Sequence, residues 1–385
     1  MEPASRRRLL GATGGALVVG AVVVAVMTGI SDRDFLDLGI YRDAVSTWWH
    51  GQSPYGVPYS DGLQFNYPPS SLVLLTALSV LPRTLTGVLL VAVGAALFWL
   101  VLRWALPRLP KSGTALVTGI LALSEPVQMT WAYGQVDLLV LAAVCAAVLR
   151  PHGRGGGPLL GAAAGLKLLP VTFLVVPALQ RRWRTVMVSL LTTGGLAVVA
   201  LARTPSMLGD YVDQLLHGAV VIRPGDEGHN VSWHGLLSWA LGDRATVAWL
   251  LVALLLGVVG LMTVVGAVRS LDVVAAVSAV ALVGLLLSPV TWTHHWVWVA
   301  VVLGTALPAW RSSRLVDRAH LVAVLALTAA TVLWVPAWFT NPDHSYGTDG
   351  LRWLAAYSYV LLGTAVLTTL ALRVRTDAQR VHLDA

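Results

Sequence analysis

Asp37 and Tyr41 stand four residues apart in Asp34-Phe-Leu-Asp37-Leu-Gly-Ile-Tyr41-Arg42-Asp43, so a helix sets both on one face. Asp34, three residues earlier, can share that face. Two neighbouring carboxylates raise the proton affinity of one of them, which suits removal of a proton from a hydroxyl. The same acids also serve as solvated loop charges, and spacing alone leaves both readings open. The acidic stretch runs on to Phe65-Asn-Tyr67-Pro68-Pro69, just before an apolar segment. A second cluster, Ser288-Pro-Val-Thr-Trp292-Thr-His294-His295-Trp296-Val-Trp298, sets adjacent imidazoles among tryptophans. Such imidazoles can face a phosphate or sugar oxyanion, and Trp and His stack on sugar rings. The competing reading is an interfacial aromatic belt with two polar neighbours. Adjacent histidines point in different directions on a helix, so the pair is weak as a metal site.

A third polar segment runs from Arg223 to Gly235 and includes Asp226, Glu227, His229 and His234. Asn230 or Ser232 is placed to cap a short amphipathic stretch that follows. Asn230-Val-Ser232 also fits a glycosylation acceptor, a match frequent by chance. Two ionisable residues fall inside apolar runs. Lys167 lies in Gly165-Leu-Lys167-Leu-Leu-Pro170, and Asp137 follows Gly134-Gln135. A charge in a span costs about 2.5–3.5 kcal/mol on insertion scales, so its default reading is functional, with snorkelling as the alternative for Lys167. Pro170 predicts local unwinding beside the ammonium. There is no Walker loop, dinucleotide fingerprint or zinc-binding motif, so a donor should come from the membrane.

The elements that must position these groups are membrane helices. Of 385 residues 56% are hydrophobic and 12% charged, which excludes disorder, a coiled coil and an ordinary cytosolic enzyme. The net charge of +7 reads as basic cytoplasmic loops rather than a nucleic-acid surface. The single cysteine, Cys145, excludes an intrachain disulfide. Apolar segments at 9–30, 70–82, 84–106, 113–132, 135–149, 158–179, 185–202, 245–268, 271–289, 294–310, 319–338 and 352–372 predict about twelve helices, several too short for a full span. Short or Pro-interrupted spans suggest broken or re-entrant helices around a polar cavity.

Arg6-Arg7-Arg8 holds the N-terminus in the cytoplasm, and the first apolar run is too long for a cleaved signal peptide. Arg311, Arg314 and Arg318, and the tail Arg373, Arg375 and Arg380, are cytoplasmic by the same rule. The segments 31–69, 203–244, 288–295 and 339–351 then lie outside. Simple alternation through the middle of the chain would put Gln135 inside and Arg108, Lys111 and Arg154 outside, against the charge rule. A re-entrant pair would repair this, but the sequence does not say which. The chain reads as one integral membrane domain, 1–385, in the cell membrane.

These stretches together resemble the polyprenol-phosphate-sugar-dependent membrane enzymes of glycosyltransferase family 87. The similarity rests on Asp37-Leu-Gly-Ile-Tyr41, Phe65-Asn-Tyr67-Pro68-Pro69, Gly134-Gln135-Val-Asp137-Leu, Leu166-Lys167-Leu-Leu-Pro170, Asn230-Val-Ser232 and Ser288-Pro-Val-Thr-Trp292-Thr-His294-His295-Trp296, in the family's order. Among its members the chain is most similar to the actinobacterial α-(1,2)-mannosyltransferases acting on phosphatidylinositol mannosides and lipomannan. Asp137 stands where Asn is usual in the family, and Val231 where Gln is usual. The resemblance implies an all-α polytopic type-C glycosyltransferase fold with an outer-face cavity. It implies inverting transfer of mannose from polyprenyl-phosphate-mannose to a glycolipid or lipoglycan acceptor, with Asp37 as general base. His294, His295, Arg42 and Lys167 become candidates for the leaving phosphate. Tyr41, Tyr67 and Trp292 would shape the sugar site, and Gln135 and Asn230 are further binding candidates. No metal or other cofactor is expected. An arabinofuranosyltransferase using decaprenyl-phosphate-arabinose is the alternative enzyme. A transporter is the alternative class, disfavoured by the absence of a repeat and by the acidic, Tyr/Pro-rich loop.

Overall fold

The computed structural model describes residues 3–150, 155–216, 230–310, 312–339 and 354–383. Arg154, Arg223 to His229, Arg311 and the 340–351 part of the last outer segment lie outside the described residues, as does the side chain of Arg380. The regular elements among the described residues are all helical, with one isolated bridge between Pro58 and Gln64. They begin with α1 (Pro3–Ser31), α2 (Leu36–Trp49), α3 (Pro69–Leu75), α4 (Arg83–Ala105), α5 (Lys111–Ala122), α6 (Glu125–Ala132) and α7 (Asp137–Val148). They continue with α8 (Gly156–Leu166), α9 (Val175–Leu179), α10 (Trp183–Arg203), α11 (Met207–Leu216), α12 (Trp233–Leu241), α13 (Ala245–Arg269) and α14 (Val273–Leu287). Leu315–Val332 and Ser358–Leu383 are the last long helices.

Among the described residues six stretches are long and apolar enough to cross a membrane: Pro3–Ser31, Arg83–Ala105, Trp183–Arg203, Trp233–Arg269, Leu315–Val332 and Ser358–Asp377. The chain is a multi-pass membrane protein. α6 and α7 pass the same test only as a pair and are bent by 117° at their junction. The apolar segments around 70–82, 158–179 and 271–289 become the shorter helices Pro69–Ser79, Gly156–Leu166, Leu169–Leu179 and Val273–Leu287. Composition marks a segment as apolar, but proline and glycine decide how much of it stays one helix. Pro170 has no N–H for the Leu166 carbonyl, so α8 stops there and Lys167 is extended, at φ −139 and ψ 153. That is the unwinding expected from the sequence.

The chain groups into two compact units: Val18–Leu100 with Gln128–Ile222, here the Asp37 unit, and Met1–Leu17, Val101–Val127 and Arg223–Ala385, the His294 unit. In the Asp37 unit α8 packs against α3, α7 and α10. Its Gly157, Gly161 and Gly165 follow a four-residue spacing that lets neighbouring backbones close in. Ser189 donates to Gly157 O at 3.0 Å, Thr193 to Gly161 O at 2.8 Å and Ser70 to Gly165 O at 2.7 Å. These bonds fix the axial position of α8 and so the height of Lys167 at its end.

In the His294 unit α13 packs on α12, α14 and Ser358–Leu383, and Leu315–Val332 on Ser358–Leu383. Buried Arg373 pairs with Asp317 at 3.1 Å and donates to Thr305 O at 2.9 Å. His320 bonds the hydroxyls of Thr305 at 2.8 Å and Thr369 at 3.0 Å. Arg314 pairs with Asp377 at 2.6 Å, so an arginine of the 311–318 loop as well as one of the tail serves as an internal tie.

Candidate active site

The chain leaves α1 through a tight turn in which Asp34 and Phe35 are both left-handed, with φ 47 and 44. A left-handed aromatic residue is uncommon and strained. Its N–H bonds Gly29 O at 2.9 Å, and its buried ring lies against Gly29 and Gly87, where any added Cβ would sit 2.4 Å and 2.6 Å from ring carbons. The turn removes Asp34 from the helix that follows. Asp34 is exposed and pairs with Arg83 at 3.0 Å. The carboxylate neighbouring Asp37 is therefore not Asp34, as the three-residue spacing suggested, but Asp137.

Asp37 opens α2 and is gripped twice by the turn between α6 and α7. Its backbone N–H donates to Tyr133 O at 3.0 Å, and Gln135 Nε2 donates to its Oδ2 at 2.8 Å. Gly134 between them has φ +68, and a Cβ there would stand 2.8 Å from Leu38 Cβ. Only glycine meets both demands. Gln135 thus belongs with Asp37, the placement that simple alternation of spans could not give, and the bent α6–α7 pair is the structural reason.

Tyr41 and Tyr67 converge on the same amide. Their hydroxyls lie 2.5 Å and 2.9 Å from Gln135 Oε1 and 2.6 Å from each other. The Phe65-Asn-Tyr-Pro-Pro element places Tyr67 through an aromatic core. Tyr55 OH donates to Tyr67 O at 2.8 Å, Phe65 stacks on Tyr67 with centroids 5.7 Å apart, and Gln214 donates to Phe65 O at 3.0 Å. Burial raises both phenols, Tyr67 to about 12 and Tyr41 well above its ordinary value, so both keep their protons at neutral pH.

Lys167 completes the group. It pairs with Asp137 and lies 5.3 Å over the Tyr67 ring. Burial, opposed by the Gln135 hydrogen bond and by Lys167, pushes the Asp37 carboxyl up to about 6. A carboxylate poised near neutrality beside an ammonium suits general-base work on a hydroxyl. Arg42 lies on the same helix, but its guanidinium donates to Leu78 O and Leu81 O, both at 2.7 Å.

The other candidates gather in the His294 unit. Thr293–Trp298 forms a tight 3₁₀ turn carrying His294, buried, and His295, half-buried, with rings 4.5 Å apart and edge to face. Trp292 N–H points at His295 Nδ1 at 3.4 Å. Asn230 holds this turn from behind. Its Oδ1 accepts from Thr291 N at 2.9 Å and its Nδ2 donates to Pro289 O at 2.8 Å, while Val231 N donates to Thr291 O at 2.8 Å. Ser232 caps α12 by accepting from Gly235 N at 3.1 Å. Between the two cap candidates of the sequence, Ser232 is the cap and Asn230 the clasp.

Sequence reasoning passed over Glu125. It is buried at the start of α6, accepts from Tyr359 OH at 2.7 Å and is also bonded by the Thr293 side chain. The signal was available: it is an acid inside the apolar run 113–132, the criterion that singled out Lys167.

With this arrangement in place, comparison with known proteins gives the class. The chain belongs to glycosyltransferase family 87, whose family model matches residues 65–289. It is 29% identical over 368 residues to the polyprenol-phosphate-mannose-dependent alpha-(1-2)-phosphatidylinositol pentamannoside mannosyltransferase of Mycobacterium tuberculosis (strain CDC 1551 / Oshkosh), covering 92% of this chain and 84% of that one. It is 29% identical over 354 residues to the protein of the same description in Mycolicibacterium smegmatis, covering 88% and 84%. A polyprenol-phosphate-mannose-dependent alpha-(1-2)-phosphatidylinositol mannoside mannosyltransferase of Mycobacterium tuberculosis (strain ATCC 25618 / H37Rv) is 28% identical over 369 residues, covering 88% and 85%. No solved structure matches the chain. Family membership favours the enzyme over the transporter reading.

Proposed function

We propose that this chain transfers mannose from polyprenyl-phosphate-mannose to a mannose 2-hydroxyl of a phosphatidylinositol mannoside or lipoglycan, with inversion, forming an α-(1,2) linkage. The acceptor O–H bond breaks as its oxygen bonds the anomeric carbon, and Asp37 takes the proton. The bond from that carbon to the phosphate oxygen breaks, and polyprenyl phosphate leaves with the added negative charge. The carbon carries oxocarbenium character in between, and cationic or hydrogen-bonding groups stabilise the departing phosphate. Lys167, His294 and His295 are the residues assigned to it. Arg42, with its guanidinium on backbone carbonyls, ranks below them. Tyr41, Tyr67 and Trp292 border the sugar.

The observation that carries this reading is Asp37 itself. It is a half-buried carboxyl raised to about 6, beside an ammonium, in a family of glycosyl-transferring enzymes. The reading takes the fold as type-C with about twelve membrane-associated helices, both termini cytoplasmic and the Asp37 end outside. The partners are the lipid-linked donor, the glycolipid acceptor and membrane lipid, with no nucleic acid. The step needs no metal, and a chelator should leave the rate unchanged.

The test is transfer by the purified protein in lipid nanodiscs. Labelled polyprenyl-phosphate-mannose is supplied with a panel of phosphatidylinositol mannosides, and decaprenyl-phosphate-arabinose in a parallel arm. An α-(1,2)-mannosyl product supports the reading. Transfer of arabinose alone, or of neither sugar, overturns it.

A further inference from the structure

We propose that Gln135 is the positioning residue of the base: it holds Asp37 by Oδ2, keeps that carboxyl available as an acceptor, and leaves Oδ1 to take the substrate proton. This rests on the reading of Asp37 given above.

The protons available to the Gln135 cluster orient its amide. Three oxygens, Tyr41 Oη, Tyr67 Oη and Gln135 Oε1, lie within 2.5–2.9 Å of one another. A carbonyl oxygen brings no proton and each phenol brings one, so Oε1 is the acceptor of the triad. That fixes which way the amide faces. Turned over, its NH₂ would meet the phenols and its oxygen would meet Asp37 Oδ2, lone pair against lone pair. The phenols therefore aim the donor edge of Gln135 at the carboxylate. Among the described residues Oδ1 takes no hydrogen bond, whereas Oδ2 takes the one from Gln135. The main chain supports the same alignment through Asp37 N and Leu38 N, which bond Tyr133 O at 3.0 and 3.3 Å.

The hydrogen bond acts on the base as well as on its direction. A donor to an ionised carboxylate favours the ionised form and opposes the effect of burial. The titratable and charged groups facing Asp37 within its unit are Tyr41 on its own helix, Tyr67 from the loop before α3, Asp137 of α7 and Lys167 after α8. Arg83 of α4 lies against Gly39, two residues along α2, already paired with Asp34. Lys167 is shared with Asp137, so Gln135 is the direct hydrogen-bond donor that Asp37 has among the described side chains.

The experiment uses the full chain in nanodiscs with polyprenyl-phosphate-mannose and a phosphatidylinositol mannoside. Gln135→Glu keeps size and shape, still accepts from both phenols, and replaces the donor with a like charge. Its acid limb in kcat should move up by about one pH unit or more, so that the rate falls roughly threefold at pH 6.5 and roughly tenfold at pH 5, while the deficit closes towards pH 9. KM for the donor should stay within about twofold. Gln135→Asn, too short to reach, should move the limb the same way by less. A second readout needs no turnover: labelling of protonated Asp37 by dicyclohexylcarbodiimide, quantified by mass spectrometry against pH, should shift its midpoint in parallel. An unmoved limb and labelling midpoint in both variants overturns the proposal, as does a raised KM with an unmoved limb, which would make Gln135 a sugar contact. Neither result touches the assignment of Asp37. That assignment fails separately, if Asp37→Asn turns over like the wild type.

Discussion

Lys167 and Asp137 form an ion pair between the end of α8 and the start of α7, and side-chain exposure is only 16% and 8%. Removing one partner of such a pair strands the other charge. Asp137→Ala should therefore lose about 3–5 kcal/mol, whereas Asp137→Ala with Lys167→Met should recover most of it. Thermal unfolding of the four proteins of this cycle in detergent gives the coupling. If Lys167 meets the donor phosphate, the double variant will be folded but will bind polyprenyl-phosphate-mannose poorly. A stable double variant with ordinary KM would assign Lys167 to structure alone.

Asp37 titrating near 6 sets the direction of the pH profile. The ionised form is the base, so activity rises with pH through about 6 and falls roughly tenfold for each unit below it. Asp37→Asn should lower kcat by about 10²–10⁴ with the unfolding temperature little changed. Initial rates between pH 4.5 and 8.5 are the measurement, and a flat profile would refute the sign.

Phe35 holds the left-handed turn that separates Asp34 from α2, and the residue is only 1% exposed. Phe35→Ala vacates the space against Gly29 and Gly87 and should destabilise the protein by about 3–5 kcal/mol. Gly134→Ala is the complementary change: a Cβ at φ +68 meets Leu38, and the loss should appear in kcat because Tyr133 O and Gln135 move with it. Comparison of unfolding temperature with transfer rate separates the two effects.

Asn230→Ala leaves Thr291 N and Pro289 O without their side-chain partners, and should cost about 1–3 kcal/mol. Ser232→Ala removes only a cap and should cost about 1 kcal/mol. If the His294–His295 turn serves transfer, Asn230→Ala also slows the reaction, and His294→Ala and His295→Ala slow it more strongly. Ordinary rates in both histidine variants would return them to the aromatic belt.

Much of this site was legible because its chemistry is local. The Asp37–Tyr41 spacing, the Tyr67-Pro-Pro element and Lys167 before Pro170 each carry their signal within a few residues, and the structure brings all four side chains to one place. What was not legible is non-local. Asp34 was a plausible neighbour of Asp37 only while the chain stayed helical, and two left-handed residues remove it. Gln135 had no readable side, because counting spans assumes that each crosses, and α6 with α7 bends instead. The tally of about twelve apolar segments likewise measures composition rather than helix length. Glu125 was missed because the test applied to Lys167 and Asp137 was not extended to the acid of the 113–132 run.

The Tyr133–Gln135 bend touches Asp37 through main chain and side chain alike. A bilayer that thins or thickens tilts long helices such as α1 and α4, and a base fastened only to them would drift from its surroundings. Here the fastening spans a few ångströms and is made at two points on one hairpin. Base and holder would ride such a tilt together, so catalytic alignment should be insensitive to the acyl-chain length of the host lipid.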